Sequence, residues 1–563
     1  MEERNLQVKL HCLFREQLYH SASEVCNLTD TSFNVTNTFY RALALLFTNK
    51  AEEALNLLSP LHIDPLLNLS AILASIHIHK HFNIYSESSE SNIPQLEASL
   101  RSERKKANDK SLYYAALFLH FNSRQEKARE YAERALSINP GPNNVDCIIL
   151  KGWIELLSKD KSKRKNPLEY FESALAIDNL SIEAHQGKIK SLIQNENFQD
   201  AFPSLNQMIS NFSNNQEFLV EKLRAHLAAK DWDAVGDLTK KIFNIPNPLI
   251  VKILEIQILA TICHDGSFVD ATPLLKKLFL ALEKYETSNG ELFVSAARLF
   301  SRVCGRHIPI LNECQMFVER AIKLDEKNAS YLFELAQQQV LQGRFKDALV
   351  TLKTISQTGE TSIEVMLLKI HCLLDDDQYE AAQQQLNIVE ELHDNALSRP
   401  AFLLAKSMLL RQRSPTESLQ LLKQAYQLQV KTVASWIPYG VEYLNNLNPD
   451  FLLSVAEEYF QHHGPEDSPQ TLIELSGILK CVVETCPGLL PALYRLANAN
   501  FIAGDYRAAS ATLHHIIDHV DPTYIEAYLL MAQIGMNQNN LAQAAQYLEM
   551  GLSYNFQVRD HPR

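Results

Sequence analysis

The chain has 563 residues, a formal net charge of −13 and only 16 glycines. An acidic chain repels a phosphate backbone, so these numbers argue against nucleic-acid binding, and the scarcity of glycine argues against a strand-rich fold. The nine cysteines have no regular spacing, which indicates reduced thiols rather than a disulfide framework. We therefore expect a protein built from helices and short turns.

Neither the N-terminus nor any apolar run predicts export or membrane insertion. Residues 1–14 carry acidic side chains where a secretory signal would be basic. The most apolar stretch, Leu249 to Cys263, contains Lys252 and Glu255 and is too short to cross a bilayer. We expect a buried helix there, no direct membrane insertion, and a place in the cytoplasm.

Residues 109–140 give the clearest example of a repeated helix pair. Small and apolar residues recur there at spacings of three and four, as the two helices of a tetratricopeptide-type unit require, and Pro140 ends the second helix. The first stripe is Leu112, Ala115, Ala116 and Leu119, and the second is Ala128, Ala132 and Ala135.

The same register recurs towards the C-terminus with a period of 34 to 36 residues. Ala382 lies 34 residues after Ala348, Ser418 lies 36 after Ala382, and Ala544 lies 35 after Ala509. Phe198 and Trp232, again 34 residues apart, mark the turns into two further second helices. We interpret Trp232 as an aromatic packing residue rather than a ligand-stacking one.

These observations predict an all-α chain, an α-solenoid of tetratricopeptide-type helix-turn-helix repeats that forms a superhelix over residues 1–563. Three departures from the repeat predict exposed loops near residues 86–95, 159–167 and 462–470. The basic run from Lys161 to Lys165 is interpreted as a solvated loop, with a nuclear-localisation or lipid-headgroup patch as the alternative. A superhelix offers a long concave surface, so binding of other proteins is the expected function.

No motif in the sequence predicts catalysis or a cofactor. Phosphate loops, zinc-protease motifs and nucleophile elbows are absent from the sequence. His515 and His519 are four residues apart but have no accompanying ligand motif, and a knuckle would need two more ligands beside Cys481 and Cys486. We predict no catalytic, cofactor-binding or metal residues, and two partly buried thiols at a helix end.

Several stretches go beyond the generic repeat: SLYYAALFLHF from Ser111, AKDWDAV from Ala229, ARLFSRVCGR from Ala297, IPYGVEYLNNLNPDFLLSVAEEYF from Ile437 and SYNFQVRDHP from Ser553. In this order they resemble the tetratricopeptide repeat protein 21 family, the solenoid subunit of intraflagellar transport complex A. The LNPDF segment at Leu447–Phe451 is especially specific because it lies outside the repeat consensus.

The resemblance implies a scaffold for retrograde intraflagellar transport and ciliary import of membrane receptors, located in the cytoplasm, the cilium and the ciliary base. Its implied partners are the WD-repeat and solenoid subunits of complex A. The alternative is a general cytosolic or nuclear adaptor without a cilium role. Family members are longer, so the resemblance also implies that the family's C-terminal half is missing. Partner-binding residues are unknown; Tyr113 and Tyr494, at inner-helix positions, are the ones to test first.

Overall fold

The computed structural model describes residues 2–28, 35–82, 89–141, 144–158, 165–212, 216–242, 247–357, 362–433, 440–462 and 469–559. In these ranges every regular element is a helix, which confirms the predicted all-α class. The chain forms two compact units. Unit 1 comprises residues 1–229, 242–253 and 280–292, and unit 2 comprises residues 230–241, 254–279 and 293–563.

The helices up to residue 228 are α1 (Glu2–Arg15), α2 (Tyr19–Leu28), α3 (Val35–Phe47), α4 (Ala51–Leu58), α5 (Asn68–His81), α6 (Ser89–Lys106), α7 (Asp109–Phe121), α8 (Gln125–Ile138), α9 (Val145–Leu156), α10 (Pro167–Ile177), α11 (Ile182–Gln194), α12 (Phe198–Asn211) and α13 (Glu217–Ala228). The helices that follow are α14 (Trp232–Ile242), α15 (Ile250–Cys263), α16 (Phe268–Tyr285), α17 (Gly290–Val303), α18 (Ile308–Leu324), α19 (Ala329–Leu341), α20 (Phe345–Gln357), α21 (Ile363–Asp375), α22 (Tyr379–Leu392), α23 (Pro400–Leu410), α24 (Pro415–Val433), α25 (Val441–Leu447), α26 (Pro449–Gln461), α27 (Pro469–Thr485), α28 (Leu490–Ile502), α29 (Tyr506–His515), α30 (Ile525–Asn537) and α31 (Leu541–Arg559). Short 3-10 turns cover Ser59–Ile63 and Ala396–Ser398, and a π-helical turn covers Ile516–Val520.

The repeat predicted at residues 109–140 is the packed pair α7 and α8 of unit 1. Leu112 and Ala116 on α7 are fully buried, as are Ala128 and Ala135 on α8. Alanine has the smallest side chain that still favours a helix, so the two helix axes approach closely. The predicted stripes are therefore confirmed.

Unit 2 repeats the arrangement in the pairs α19 and α20, α21 and α22, α23 and α24, and α28 and α29. The small residues that set the predicted register, Ala348, Ala382, Ser418 and Ala509, are all fully buried on second helices. The period read from the sequence is therefore the period of the packed helix pairs.

The turn inside a pair uses one residue in the left-handed backbone region to end the first helix. Glycine takes this place at Gly343 and Gly504, with φ of 74° and 79°. Ser123, Glu196 and Asn539 adopt the same conformation without being glycine, with φ of 57 to 58°. Packing of the pair therefore imposes the turn even where the local sequence does not favour it.

The aromatic residues predicted at turns stand where second helices begin. Phe198 is the first residue of α12, and Trp232 is the first residue of α14. The Trp232 ring stacks on His264 with 5.3 Å between ring centroids. This contact agrees with the interpretation of Trp232 as a packing residue.

The predicted loops coincide only partly with the structure. Helix α6 begins at Ser89 and contains Pro94, so the segment predicted as a loop at 86–95 is helical from Ser89 onwards. Residues 159–164, which include most of the basic run, and residues 463–468 lie outside the described residues. In the ranges that are described, no helix has both the length and the apolar character of a membrane span.

Candidate functional site

The first helices of consecutive pairs in unit 1 form a common face, which we call the first-helix face. It comprises α7, α9, α11 and α13, which lie side by side. Such a face is the usual partner-binding surface of a solenoid. Helix α1 of the same unit lies against it. Phe14 stacks on Phe121 of α7 with 4.8 Å between centroids, and the Arg15 guanidinium covers Trp153 of α9 at 4.2 Å.

The contact between α1 and α11 is a buried ionic cluster. Arg15 Nη1 lies 2.6 Å from Glu183 Oε1, and His11 Nδ1 lies 3.1 Å from the same oxygen. The other ring nitrogen of His11 lies 2.7 Å from the Tyr40 hydroxyl. Burial alone would raise the pKa of Glu183, but the charges and hydrogen bonds of His11 and Arg15 overcome it and lower the pKa to about 2. Glu183 is therefore ionised at neutral pH.

A second buried ion pair joins α1 to α13. Arg224 donates to both carboxylate oxygens of Glu16, at 2.7 and 2.5 Å, and also to Glu221 at 2.6 Å. Burial opposes the ionised form of Glu16, yet the Arg224 charge holds the pKa of that carboxyl well below its usual value. Removing Arg224 would take away the cation that both buried carboxylates contact, which costs about 3 to 5 kcal/mol. The end of α1 is thus fixed by a residue 208 positions away.

Between α1 and the first-helix face lies a cavity of about 20 Å³. Arg15, Trp153 and Glu217 are among the residues that line it. This volume suits about one water molecule rather than a peptide. Burial raises the pKa of Glu217 to about 7, so this carboxyl changes its charge near neutral pH. In unit 1 the first-helix face is therefore covered by the chain's own helix α1.

The segment after α1 is anchored in the same unit by residues near the end of α16. The Glu286 carboxylate accepts the backbone N–H groups of His20 and Ser21, both at 3.0 Å, at the start of α2. An anion at this place satisfies helix N–H groups that have no partner within the helix. Asn289 Nδ2 donates to the Gln17 carbonyl at 2.7 Å. Nothing in the sequence near residue 20 indicates these partners.

In unit 2 the LNPDF segment lies against the C-terminal end of α17. Asn448 lies between α25 and α26 and has a left-handed φ of 50°. Its side-chain oxygen accepts a hydrogen bond from the Phe451 N–H and so caps the start of α26. Asp450 forms an ion pair with Arg306 at 3.0 Å, and Arg302 Nη1 donates to the Asn445 carbonyl at 2.7 Å. A segment outside the repeat consensus therefore joins elements about 144 residues apart.

A second distant contact in unit 2 brings two turns together, and we call it the glycine junction. It comprises Cys263, the last residue of α15, the following Gly266, and Cys486 and Gly488 after α27. The Gly488 N–H donates to the Cys263 carbonyl at 2.7 Å, and the two sulfur atoms lie 3.5 Å apart. A side chain on Gly488 would collide with backbone atoms of His264 and Gly266.

The glycine junction corrects the prediction that Cys481 and Cys486 are both partly buried thiols at a helix end. Cys481 is half-buried as expected, but Cys486 is fully buried. Its hydrogen bond with Cys263 and its burial raise the pKa of the Cys486 thiol well above the usual value. The thiol is therefore protonated at neutral pH, which agrees with a packing role.

One cluster in unit 2 has the residue types of a nucleophile triad but not its geometry. Ser418 Oγ lies 2.8 Å from His462 Nε2, and Glu458 Oε1 lies 3.9 Å from that same nitrogen. In a triad the carboxylate contacts the other ring nitrogen and the nucleophile reaches solvent. Ser418 is fully buried, and Arg411 holds Glu458 at 3.1 Å. The cluster is a polar connection between α23, α24 and α26.

The remaining residues singled out in the sequence also occupy packing positions. The rings of His515 and His519 have centroids 5.4 Å apart, and the described part of the chain contains no group of three or more potential metal ligands. Tyr113 is half-buried and packs edge-on against Tyr114 at 5.2 Å. Tyr494 is half-buried and packs against Tyr524 at 5.4 Å. Their proposed role in partner binding stays a prediction.

Comparison with known proteins identifies the family. Residues 10–236 match the model described as "Tetratricopeptide repeat protein 21 N-terminal ARM repeat", and residues 274–539 match "Tetratricopeptide repeat protein 21 second ARM domain". Human tetratricopeptide repeat protein 21B is 31% identical over 573 residues, which cover 100% of this chain and 43% of that protein. Mouse tetratricopeptide repeat protein 21A is 28% identical, with the same coverage.

The alignments with solved structures have low TM-scores. The yeast Tom70 crystal structure aligns with a TM-score of 0.32 at 12% identity and covers 99% of this chain and 96% of its own. The Cut9 and Hcn1 assembly of the APC/C aligns with a TM-score of 0.30 at 12% identity, covering 94% of this chain and 96% of its own. The chain spans less than half the length of the curated relatives, at about 43%. Together, the two family models and the end-to-end similarity show that the chain belongs to the tetratricopeptide repeat protein 21 family.

Proposed function

We propose that this chain is a non-catalytic scaffold of intraflagellar transport complex A and serves retrograde transport and the ciliary import of membrane receptors. Membership of the tetratricopeptide repeat protein 21 family carries the proposal. Stacked helix pairs support it, because they present long surfaces that suit protein contacts rather than an enclosed reaction site. The proposed partners are the WD-repeat and other solenoid subunits of that complex.

The position of α1 on the first-helix face indicates which side of unit 1 the proposed partners would contact. Because α1 fills that face, partners of unit 1 would bind the opposite side, which the second helices form. Ile138 and Ile177, at the last positions of the second helices α8 and α10, are 50% and 43% exposed. Exposed aliphatic side chains at equivalent places in consecutive repeats would offer a partner an apolar stripe.

The test is affinity purification of the tagged chain from ciliated cells, followed by mass spectrometry of the bound proteins. We expect the other complex A subunits to be recovered, and fluorescence microscopy to place the chain in the cytoplasm, the cilium and the ciliary base. The double variant I138E/I177E reports on the proposed stripe, with the exposed unit 2 variant V350E as its control. Recovery of unrelated proteins without ciliary enrichment would instead favour a general cytosolic or nuclear adaptor.

A further inference from the structure

The glycine junction of unit 2 places two thiols in direct contact. The sulfur atoms of Cys263 and Cys486 lie 3.5 Å apart, although 223 residues separate them along the chain. Both side chains are buried, with 1% and 0% of their surface exposed. Cys304, another buried thiol of unit 2, donates instead to the Ser301 carbonyl at 3.4 Å. The junction therefore brings together two groups that can react with each other.

The main chains on either side of the two thiols are also held together. The Gly488 N–H donates to the Cys263 carbonyl at 2.7 Å, and the absence of a side chain on Gly488 permits this approach. Two cysteines can be bridged without backbone movement only where their main chains already lie close together. The hydrogen bond between the two turns meets this condition.

We propose that the glycine junction is a site of reversible thiol oxidation, at which a peroxide joins Cys263 to Cys486 by a disulfide bond. In the reduced state the pair consists of two packed thiols in hydrogen-bond contact. In the oxidised state it fastens the turn after α15 to the turn after α27. The proposal rests on contacts within unit 2 and not on the proposed ciliary role.

The oxidation takes two steps, with hydrogen peroxide as the oxidant. One sulfur, as the thiolate, attacks a peroxide oxygen; the O–O bond breaks, a sulfenic acid forms, and the departing hydroxide takes up the proton that the thiol released. The second sulfur then attacks the sulfenic sulfur, forms the S–S bond and displaces hydroxide, which leaves as water with the second thiol's proton. The two sulfurs together lose two electrons, the peroxide gains them, and two water molecules are released.

Burial sets the rate of this reaction. The thiolate is the nucleophile, and the hydrogen bond with Cys263 together with burial raises the pKa of the Cys486 thiol well above its usual value. The turns must also open locally before peroxide reaches the sulfur atoms. We therefore expect oxidation over hours rather than seconds, so that the pair responds to sustained and not to brief exposure to peroxide.

The disulfide should stabilise unit 2. It joins residues 223 positions apart, and closing a long loop restricts the unfolded chain more than closing a short one does. We expect the thermal unfolding midpoint of unit 2 to rise by about 5 °C on oxidation. Dithiothreitol should return the midpoint to its original value.

The experiment treats the purified, reduced chain with hydrogen peroxide, blocks the remaining thiols under denaturing conditions, and maps linked peptides by mass spectrometry without reduction. The parent should fall from nine free thiols to seven, because one pair is consumed, and should yield a linked peptide that contains Cys263 and Cys486. In C486S no linked peptide should form. The matched control C304S replaces another buried thiol of unit 2 and should still form the linked peptide. Circular dichroism checks that both variants are folded.

Three results would overturn the proposal. The first is a parent chain that keeps all nine thiols after prolonged treatment. The second is a linked peptide that joins other cysteines, or an equal loss of the linked peptide in folded C486S and C304S. The third is an oxidised parent that unfolds at or below the midpoint of the reduced parent. None of these results bears on the proposed function, which depends on the proteins recovered from ciliated cells.

Discussion

Each unit brings distant parts of the chain into contact, but α1 in unit 1 and the glycine junction in unit 2 do so by different chemistry. In unit 1, α1 brings Arg15 and Glu16 into a buried position, where Glu183 and Arg224 compensate their charges. In unit 2, the glycine junction brings two turns within hydrogen-bonding distance because neither glycine has a side chain. The contacts of α1 depend on compensated charge, whereas the glycine junction depends on the absence of side chains. The same architecture therefore has different weak points in its two units.

The largest effect should come from removing a buried charge in unit 1. In the variant R15A, Glu183 keeps its contact with His11 but loses the guanidinium, and Trp153 loses the cation above its ring. We expect the free energy of unfolding of unit 1 to fall by about 3 to 5 kcal/mol. Hydrogen exchange of the α11 amides measures this change locally, which matters because a long array does not unfold in one step.

The control for R15A is the exposed ion pair between Arg104 and Glu130, whose side chains are 41% and 60% exposed. An exposed pair contributes about 0 to 1 kcal/mol, so R104A should leave exchange in unit 1 nearly unchanged. Equal losses of protection in R15A and R104A would contradict the special role of the α1 cluster.

The next-largest effect should come from adding a side chain at the glycine junction of unit 2. In G488A the new methyl group meets the backbone of His264 and Gly266, which cannot move aside as a side chain end could. We expect a loss of about 1 to 3 kcal/mol, measured as a lower thermal unfolding midpoint of unit 2. The matched variant G477A adds the same group in α27 with nothing within 4 Å, and should gain about 0.5 to 1 kcal/mol. A G488A midpoint equal to or above that of the parent would show that the turns can separate freely.

The smallest effect is a pH dependence of unit 1. The pKa of Glu217 is about 7 in the folded state against the ordinary value of 4.5, because burial disfavours its charge. The folded state then binds the extra proton between pH 4.5 and 7, so this group's contribution to stability rises as pH falls through that window and is flat above it. Comparing the parent with E217Q by denaturation at pH 5 to 8 should show a difference of about 1 kcal/mol per pH unit between pH 5 and 7. If the free energies of unfolding of the parent and E217Q changed in parallel with pH, the raised pKa of Glu217 would be refuted.

The sequence predicted the parts of the fold that depend on local spacing. The small residues of second helices recur every 34 to 36 residues, and the structure buries Ala348 and Ala382 as that spacing requires. Aromatic residues such as Phe198 and Trp232 likewise marked helix starts correctly. These features are predictable because the partners of each residue lie within one repeat.

The features that distinguish the two units were not predictable in this way. Arg15 contacts Glu183 across 168 residues, and Cys486 contacts Cys263 across 223 residues. No period links such pairs, and one sequence without aligned relatives does not show which residues change together. The available signals were indirect: charged residues beside Leu13 and Phe14 in the first helix, and a Cys-Pro-Gly turn outside the repeat pattern.

The ion pair between Glu16 and Arg224 also sets an order of events during synthesis. At roughly 5 to 20 residues per second, a ribosome needs about 10 to 40 s to extend the chain from α1 to its partner on α13. For most of that interval neither Glu183 nor Arg224 has been synthesised to compensate the charges of Arg15 and Glu16. Unit 1 therefore cannot complete its folding helix by helix as it emerges, because its first two helices wait for partners that are synthesised about 200 residues or more later.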